Sequence, residues 1–465
     1  MARFIGDKKP VTSMTDEDSI AGVFGGTFTT AKISDFIKHI KGEDELLLQQ
    51  IAWYLEVNVA SNKGAKYVNY GGNMHMRAVY ESLRKDVLMD KNGNYCVINP
   101  NDARYTEDGE AIIDLDTGVI LNKWKNCDIM GIIPERYEYV QSVTVAGVTK
   151  HRLWISPLPI PNGTKKERMV VGKFKASLVD GAMRSLPGQV PANTKTINAF
   201  WDTAQLRSKN HGLANLGFRT YLLEYMMSKY GQRDSQNCVT ADGTLVWGCG
   251  LDGTESTNSD KFAAQKTIKT GHTLSLGLND GKVAVVDNFG VTCHGVNVNG
   301  FENPWGQYWE MVQGLCSVGN DVYCWDSNWL PTGTPASSSF VNVNHARLKR
   351  YTAGANLFCK FNILSDGDKQ GLYPVPMEAA AGIDYGDHYW YASNGQLWLW
   401  GGDSNSVARC GLACSGSYDV WSLSYAYFSA RLAYYGDIAK VSSRKLAELT
   451  AEHIIIDNEN IYTKN

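Results

Sequence analysis

Residues 398–435 read WLWGGDSNSVARCGLACSGSYDVWSLSYAYFSARLAYY, and this stretch sets the reading of the chain. Aromatics, Ser, Asp, Asn and Gly are mixed in it without the strict alternation that one buried strand face would require. These are the residue types of a recognition surface: aromatics give stiff contact area, and small polar side chains give adaptable hydrogen bonds. Trp398 and Trp400 alternate with Leu397 and Leu399, which fits a core strand as well as a binding face. Asp403, Asn405, Tyr418 and Asp419 stand among Gly and Ser and are expected at exposed tips, with Trp421, Tyr425 and Tyr427 beside them as further candidate ligand-binding residues. Arg431 and Leu432 read as scaffold.

Composition excludes several classes. The chain has 465 residues, enough for a large core, and a formal net charge of -3. That charge argues against a nucleic-acid protein, which would carry a basic face. No apolar run reaches the length of a membrane span, and the opening MARFIGDKKPVTS lacks the apolar core of a secretory signal, so folding in a cytoplasm is expected. The ten cysteines include no CxxC pair and are expected to be buried thiols. No metal or cofactor is expected. Asp90, Asn92 and Asn94 lack EF-hand spacing and read as a glycine-bearing turn.

The pattern along the chain is α+β. Ile33, Phe36, Ile37 and Ile40 lie on one helical face, and residues 43–57 read as a second helix, together giving an N-terminal helical segment over residues 1–70. Residues 71–149 form a connecting α+β region, with a helix expected over 75–89. Residues 150–440 read as short strands separated by long loops, with one clear helix at about 217–230, and residues 441–465 as a capped helix and tail. Tyr221, Leu222, Tyr225 and Met226 fall on the core face of the 217–230 helix. Trp305 and Trp309, one helical turn apart after the Pro304–Gly306 turn, read as core packing.

Five further segments align in order with one family. They are DLDTGVILNKWKNCDIMGIIPERYEYV from Asp114, LWISPLP from Leu153, VVGKFKASLVDGAMRSLPGQVP from Val170, NLGFRTYLLEYMMSKYGQRDSQN from Asn215 and GFENPWGQYWEMVQGL from Gly300. With the closing GLACSGSYDVWSLSYAYFSARL from Gly411, the chain resembles bacteriophage fibre or tail receptor-binding proteins of the C-type-lectin-like fold, including targets of diversity-generating retroelements. Arg136 and Tyr137 replace the family's usual aromatic pair. The resemblance implies a virion protein, made in the bacterial cytoplasm and often homotrimeric. Its partners would be capsid or tail proteins, through residues 1–70, and a bacterial surface receptor, glycan or protein. A purely structural virion fibre is the alternative.

The same fold resembles formylglycine-generating enzymes, which use paired cysteines just upstream of the closing strand. Residues 403–408 contain no cysteine, and Cys410 falls at a structural position, so an oxidase is disfavoured. Asp384, Asp387 and Asp403 could be imagined as a glycosidase pair, but sequence alone supplies no carboxylate separation. There is no GxSxG elbow and no HExxH, and His272, His294, His345 and His388 are scattered. The expectation is a binding protein and not an enzyme.

Overall fold

Six consecutive buried residues, Asp128–Ile133, mark the middle of the main sheet. A strand covered on both faces needs no alternation, and DIMGII shows none. In the computed structural model this sheet has seven strands, in the order His211–Leu213, Leu432–Tyr434, Met169–Gly172, Asp128–Ile133, Lys85–Met89, Asn94–Val97 and Ala439–Lys440. The structure describes residues 19–24, 27–32, 44–58, 67–256, 260–318, 321–324, 341–342, 357–366, 369–378, 387, 389–391, 397–451, 454–457 and 460–463.

A second sheet runs Thr164–Lys166, Arg136–Val145, Val148–Ser156, Trp53–Asn58, Asn69–Gly72. A third contains Trp309–Val318 beside Leu397–Trp400, then Ser415–Ser417 and Tyr389–Tyr391, and Phe428–Ser429 pairs in parallel with its Trp309 end. The chain is thus a mixed α+β protein dominated by sheets.

The helix Leu216–Tyr230 packs against both Trp309–Val318 and Trp53–Asn58. It is buried on nearly every side, from Phe218 through Ser228. Asn215 caps its start by accepting from the Phe218 N–H, and Gly231 ends it at φ 65°, a conformation glycine adopts without strain. The core face expected of Tyr221, Leu222, Tyr225 and Met226 is present. The expected C-terminal helix is Ser443–Thr450, capped by Ser442.

Several expected elements differ. Residues 43–57 are not one helix: Asp44–Ile51 is helical, and Trp53–Asn58 is a strand paired along its length with Val148–Ser156. Residues 75–89 likewise divide into the helix Met74–Ser82 and the strand Lys85–Met89. Apolar runs without clear periodicity fit either state, and in both places an available sheet partner decides. Trp305 and Trp309 are not on a helix: Trp305 follows a turn in the core, and Trp309 opens a strand. The helix Ile197–Arg207, capped by Thr196, was not expected. The face defined by Ile33, Phe36, Ile37 and Ile40 lies outside the described residues, as do Asp384, His345 and His388.

Strand pairing also crosses the expected divisions at residues 70 and 149. Trp53–Asn58 pairs with Val148–Ser156, and Asp128–Ile133 with Met169–Gly172. Leu47, Leu48 and Ile51 share a hydrophobic cluster with Trp247, Trp305 and Trp398. The cysteines at 96, 127, 238, 293, 316, 410 and 414 are buried thiols, with Cys249 partly exposed. Asp90 accepts from the Asn92 and Asn94 N–H groups, as its turn reading requires.

Candidate functional site

Beneath the closing loops, one carboxylate collects three cations. Glu310 Oε1 lies 2.7 Å from Lys175 Nζ and 2.9 Å from Arg431 Nη2, while Oε2 lies 2.6 Å from Arg219 Nη2 and 3.1 Å from Arg431 Nε. The remaining donors bind backbone carbonyls: Lys175 that of Asn303, Arg219 that of Pro304, and Arg431 those of Gly172, Lys173 and Glu302. Burial would raise the Glu310 carboxyl, but Arg219, Arg431 and Lys175 outweigh it and hold it far below the ordinary range. Burial also pushes the Lys175 ammonium down to about 8.

A second buried cluster adjoins the first through Lys173 and Glu302. Lys173 donates to Asp86 at 2.8 Å and to the Gly277 carbonyl at 3.1 Å, and Arg84 holds the other Asp86 oxygen at 2.8 Å. Glu302 accepts from the N–H groups of Gly271 and Thr273 and from the Thr273 hydroxyl. Every group in these clusters has an assigned partner of opposite charge or a backbone acceptor or donor. They are scaffold.

Two loops rise from this base. Residues 401–410 form the first. Asp403 does not stand at an exposed tip: it is only 6 % exposed because its carboxylate turns inward to accept from the Ser406 hydroxyl at 2.8 Å and the Asn405 N–H at 3.1 Å. Burial raises its carboxyl. Asn405 is exposed as expected. Val407 sits at φ 52°, an outlier for a β-branched residue, and is held there by the hydrogen bond from its N–H to the Asp252 carbonyl. Asp252 and Asp387 are buried close by, and burial pushes Asp252 up to about 7 and Asp387 well above the carboxylate range.

The second loop, residues 418–427, is clamped at both ends. The Leu397 N–H donates to the Asp419 carbonyl, and the Trp309 N–H to the Tyr427 carbonyl, each at 2.9 Å. Its inward residues are Trp421 and Leu423, packed with Phe428 in a cluster that includes Trp309 and Leu399. Trp421 is therefore a core residue at 8 % exposure and not an outward contact. Tyr418 is 52 % exposed and Tyr425 37 %; Ser422 and Ser424 are exposed between them, and Ala426 just after Tyr425. Tyr425 and Tyr427 stack with centroids 5.0 Å apart and planes 15° apart. Asp419 is half-buried, its carboxyl pushed up to about 6 by burial, and no hydrogen bond among the described residues reaches that carboxylate.

Trp398 and Trp400 resolve as core. Both are 0 % exposed in the strand Leu397–Trp400, where all four residues are buried, so the ring faces of these two tryptophans are closed to a ligand. Trp398 packs on Tyr389, and Trp400 lies under the Arg219 guanidinium and donates through its indole N–H to the Leu412 carbonyl. Both faces are covered because one side of this sheet meets the buried helix and the other the loops. The structure adds two residues that sequence reasoning passed over. Trp390, partly exposed, sits edge-on to Trp309, and Arg409 lies 5.6 Å above its ring. Neither stands out in the sequence: Trp390 lies in the aromatic run YWY, and Arg409 is an isolated cation.

The outward surface thus comprises Tyr418 and Tyr425, with half-buried Asp419 and Tyr427 at its edge, Tyr427 packed against the same cluster as Leu423, and with Asn405, Trp390 and Arg409 toward the other loop. Among the described residues, no group of three or more His, Cys, Asp or Glu side chains is placed to hold a metal ion. No protein-family model matches the chain, and no curated protein matches it either.

Proposed function

We propose that this protein is a bacteriophage virion fibre protein with a C-type-lectin-like domain, and that the surface around Tyr418, Asp419, Tyr425 and Tyr427 binds a receptor on the bacterial cell. One observation carries the reading. Aromatic side chains are presented outward on a loop whose backbone is clamped at both ends to a buried, charge-locked scaffold. Adjoining aromatics at a surface, here Tyr425 stacked on Tyr427, mark interaction sites more than scattered single rings do, and a rigid loop presents them without the entropic penalty of ordering. The ordered motif segments noted in the sequence support the family assignment. In the proposed arrangement the residues ahead of Asp44 attach the protein to capsid or tail proteins, since residues 44–58 are built into the core, and the fibre is a homotrimer.

The test is adsorption. The purified, fluorescently labelled chain is expected to decorate cells of at least one strain in a panel of bacterial species. The double variant Tyr418→Ala with Tyr425→Ala is expected to lose at least tenfold in cell-bound signal while its thermal midpoint falls only slightly, since Tyr418 is exposed and Tyr425 gives up only a partly exposed ring stacked on Tyr427. Undiminished decoration by that variant would refute the assignment of the surface.

A further inference from the structure

We propose that a single chloride-sized anion binds in the cavity between the strand Trp53–Asn58 and the helices Met74–Ser82 and Leu216–Tyr230, held by the indole of Trp53 and the guanidinium groups of Arg77 and Arg136. The proposal does not depend on the receptor-binding reading.

The first argument is a set of unpaired donors. Trp53, Arg77, Tyr80, Arg136, Tyr221 and Glu224 line the cavity. The Trp53 ring packs on Tyr80 with centroids 5.6 Å apart, which seats the indole beside the helix Met74–Ser82. Trp53 and Arg136 are only 3 % and 2 % exposed, yet Trp53 Nε1 reaches no acceptor among the described residues. Arg77 Nε reaches none either. Arg136 spends Nε on Glu138 and Nη2 on Glu224, each at 2.8 Å. Its Nη1 completes no hydrogen bond among the described residues, although the Arg136 charge acts on the Tyr80 phenol. A buried donor without an acceptor is costly, and three from the walls of one cavity call for an acceptor inside it.

The second argument is size. The cavity has room for one particle of about a water's size, so a ligand of several heavy atoms does not fit. A water offers two lone pairs to three donors and brings two hydrogens of its own. The carboxylates within reach, Glu138 and Glu224, already face Arg136. A halide has no hydrogens to place and accepts from several directions at once.

The third argument is charge. Burial raises the Glu224 carboxyl to about 8, so it holds a proton at neutral pH. Arg77 and Arg136 then face Glu81 and Glu138, and Lys166 stands 3.9 Å from Glu138. Asp280, which accepts from the Tyr225 hydroxyl, is paired with Lys229. No excess of negative charge is left to repel an anion. Arg77 and Glu81 pair at 2.8 Å with side chains 17 % and 23 % exposed, and an ion enters from solvent on their side.

The experiment uses the full chain. Crystals soaked in sodium bromide are expected to show an anomalous peak within hydrogen-bond reach of Trp53 Nε1 and Arg136 Nη1. In thermal melts at neutral pH, about 150 mM chloride should raise the midpoint by about 1–2 °C over isethionate at the same concentration, the mass-action effect of a site half-filled near about 10 mM. Trp53→Phe keeps an aromatic ring and loses the N–H. Arg77→Met removes a donor from a partly exposed helical position, where folding tolerates the change. Each should weaken chloride binding about tenfold and shrink the difference to about 0.5 °C. A cavity that shows an ordinary water and no bromide would overturn the proposal. So would a chloride-dependent rise that either folded variant keeps in full.

Discussion

Replacing Glu310 with Gln takes the one carboxylate from among Lys175, Arg219 and Arg431, whose side chains are 1 %, 2 % and 0 % exposed. Four contacts of 2.6–3.1 Å lose their charge, and three buried cations are left facing a neutral amide. Removing one partner of a buried ion pair destabilises by about 3–5 kcal/mol, because the uncompensated charge dominates. Lys175 tempers the loss. Its ammonium is already down to about 8 beside Glu310. Without that charge it sheds its proton near neutrality, so the lower part of the range, about 3–4 kcal/mol, is expected. An unfolding entropy of about 2.1 cal/mol/K per residue over 465 residues gives roughly 1 kcal/mol/K, so the midpoint should fall by about 3–4 °C in a thermal melt. The pH dependence supplies a signature. Lys175 in the variant has a folded pKa far below its unfolded one, so stability rises with pH between the two, and the deficit should narrow from pH 6 to pH 9. In the unsubstituted protein the depressed Glu310 carboxyl acts the other way: its contribution is present above the unfolded value of about 4.5 and is lost as pH falls through the folded value. Adding Lys175→Met to Glu310→Gln should recover part of the loss. A midpoint shift under about 1 °C, or a double variant worse than the sum of the two single changes, would refute the assignment of Glu310 as hub of the network.

Trp400→Ala should cost about 3–5 kcal/mol in urea unfolding and Tyr418→Ala less than about 0.5 kcal/mol, because the first opens a cavity at a fully buried site and the second trims an exposed ring; the reverse ranking would contradict the division of residues 398–427 into core and surface. Asp252→Asn should stabilise the protein at pH 8 and hardly change it at pH 4. Burial raises this carboxyl from 3.8 to about 7, so the folded state holds a proton that the unfolded state releases, and stability falls as pH rises between those values by about 4 kcal/mol in all. The asparagine keeps the acceptor for the Thr254 N–H and has nothing to ionise; its amide NH2 takes the place of the oxygen that accepts from the Gln236 amide, which must turn to present its own oxygen, a pH-independent cost, so a stabilisation no greater at pH 8 than at pH 4 would count against the buried-acid account.

Much of the framework was legible because it obeys single-element rules. The helix Leu216–Tyr230 has an Asn cap, apolar spacing and a terminal glycine, all local signals. Residues 43–57 read as one helix because LLLQQIAWYLEV is apolar at 3.6-residue spacing, but it is equally apolar at 2-residue spacing, and the choice depends on the strand Val148–Ser156, about a hundred residues later. Asp403 was expected outside because Gly and Ser surround it. Its carboxylate instead closes the turn at Asn405 and Ser406, a short-range bond that polar composition hides. The charge network left only a weak trace, in charged residues set within apolar runs: Lys173 and Lys175 in VVGKFKAS, Glu310 in YWEMV, Arg431 in FSARL. Their partners are as far as 259 positions away, and periodicity carries nothing across that distance.

That network explains how the candidate surface can be both rigid and free to vary. Lys173, Lys175, Arg219, Glu302, Glu310 and Arg431 come from four separate stretches of the chain, and all lie within the motif segments that carry the family resemblance. Buried ion pairs are weak sources of net stability, since desolvation opposes the attraction, but each fixes one geometry and penalises the alternatives. The strands bearing Trp309 and Trp400 are locked in this way, and the loop of residues 418–427 hangs from them by backbone hydrogen bonds at Leu397 and Trp309. Main-chain anchors do not depend on side-chain identity. Tyr418, Ser422, Ser424 and Tyr425 point outward and take no part in either anchor, so their replacement changes the chemistry offered to a ligand while Trp421, Leu423 and Phe428 keep the loop in place.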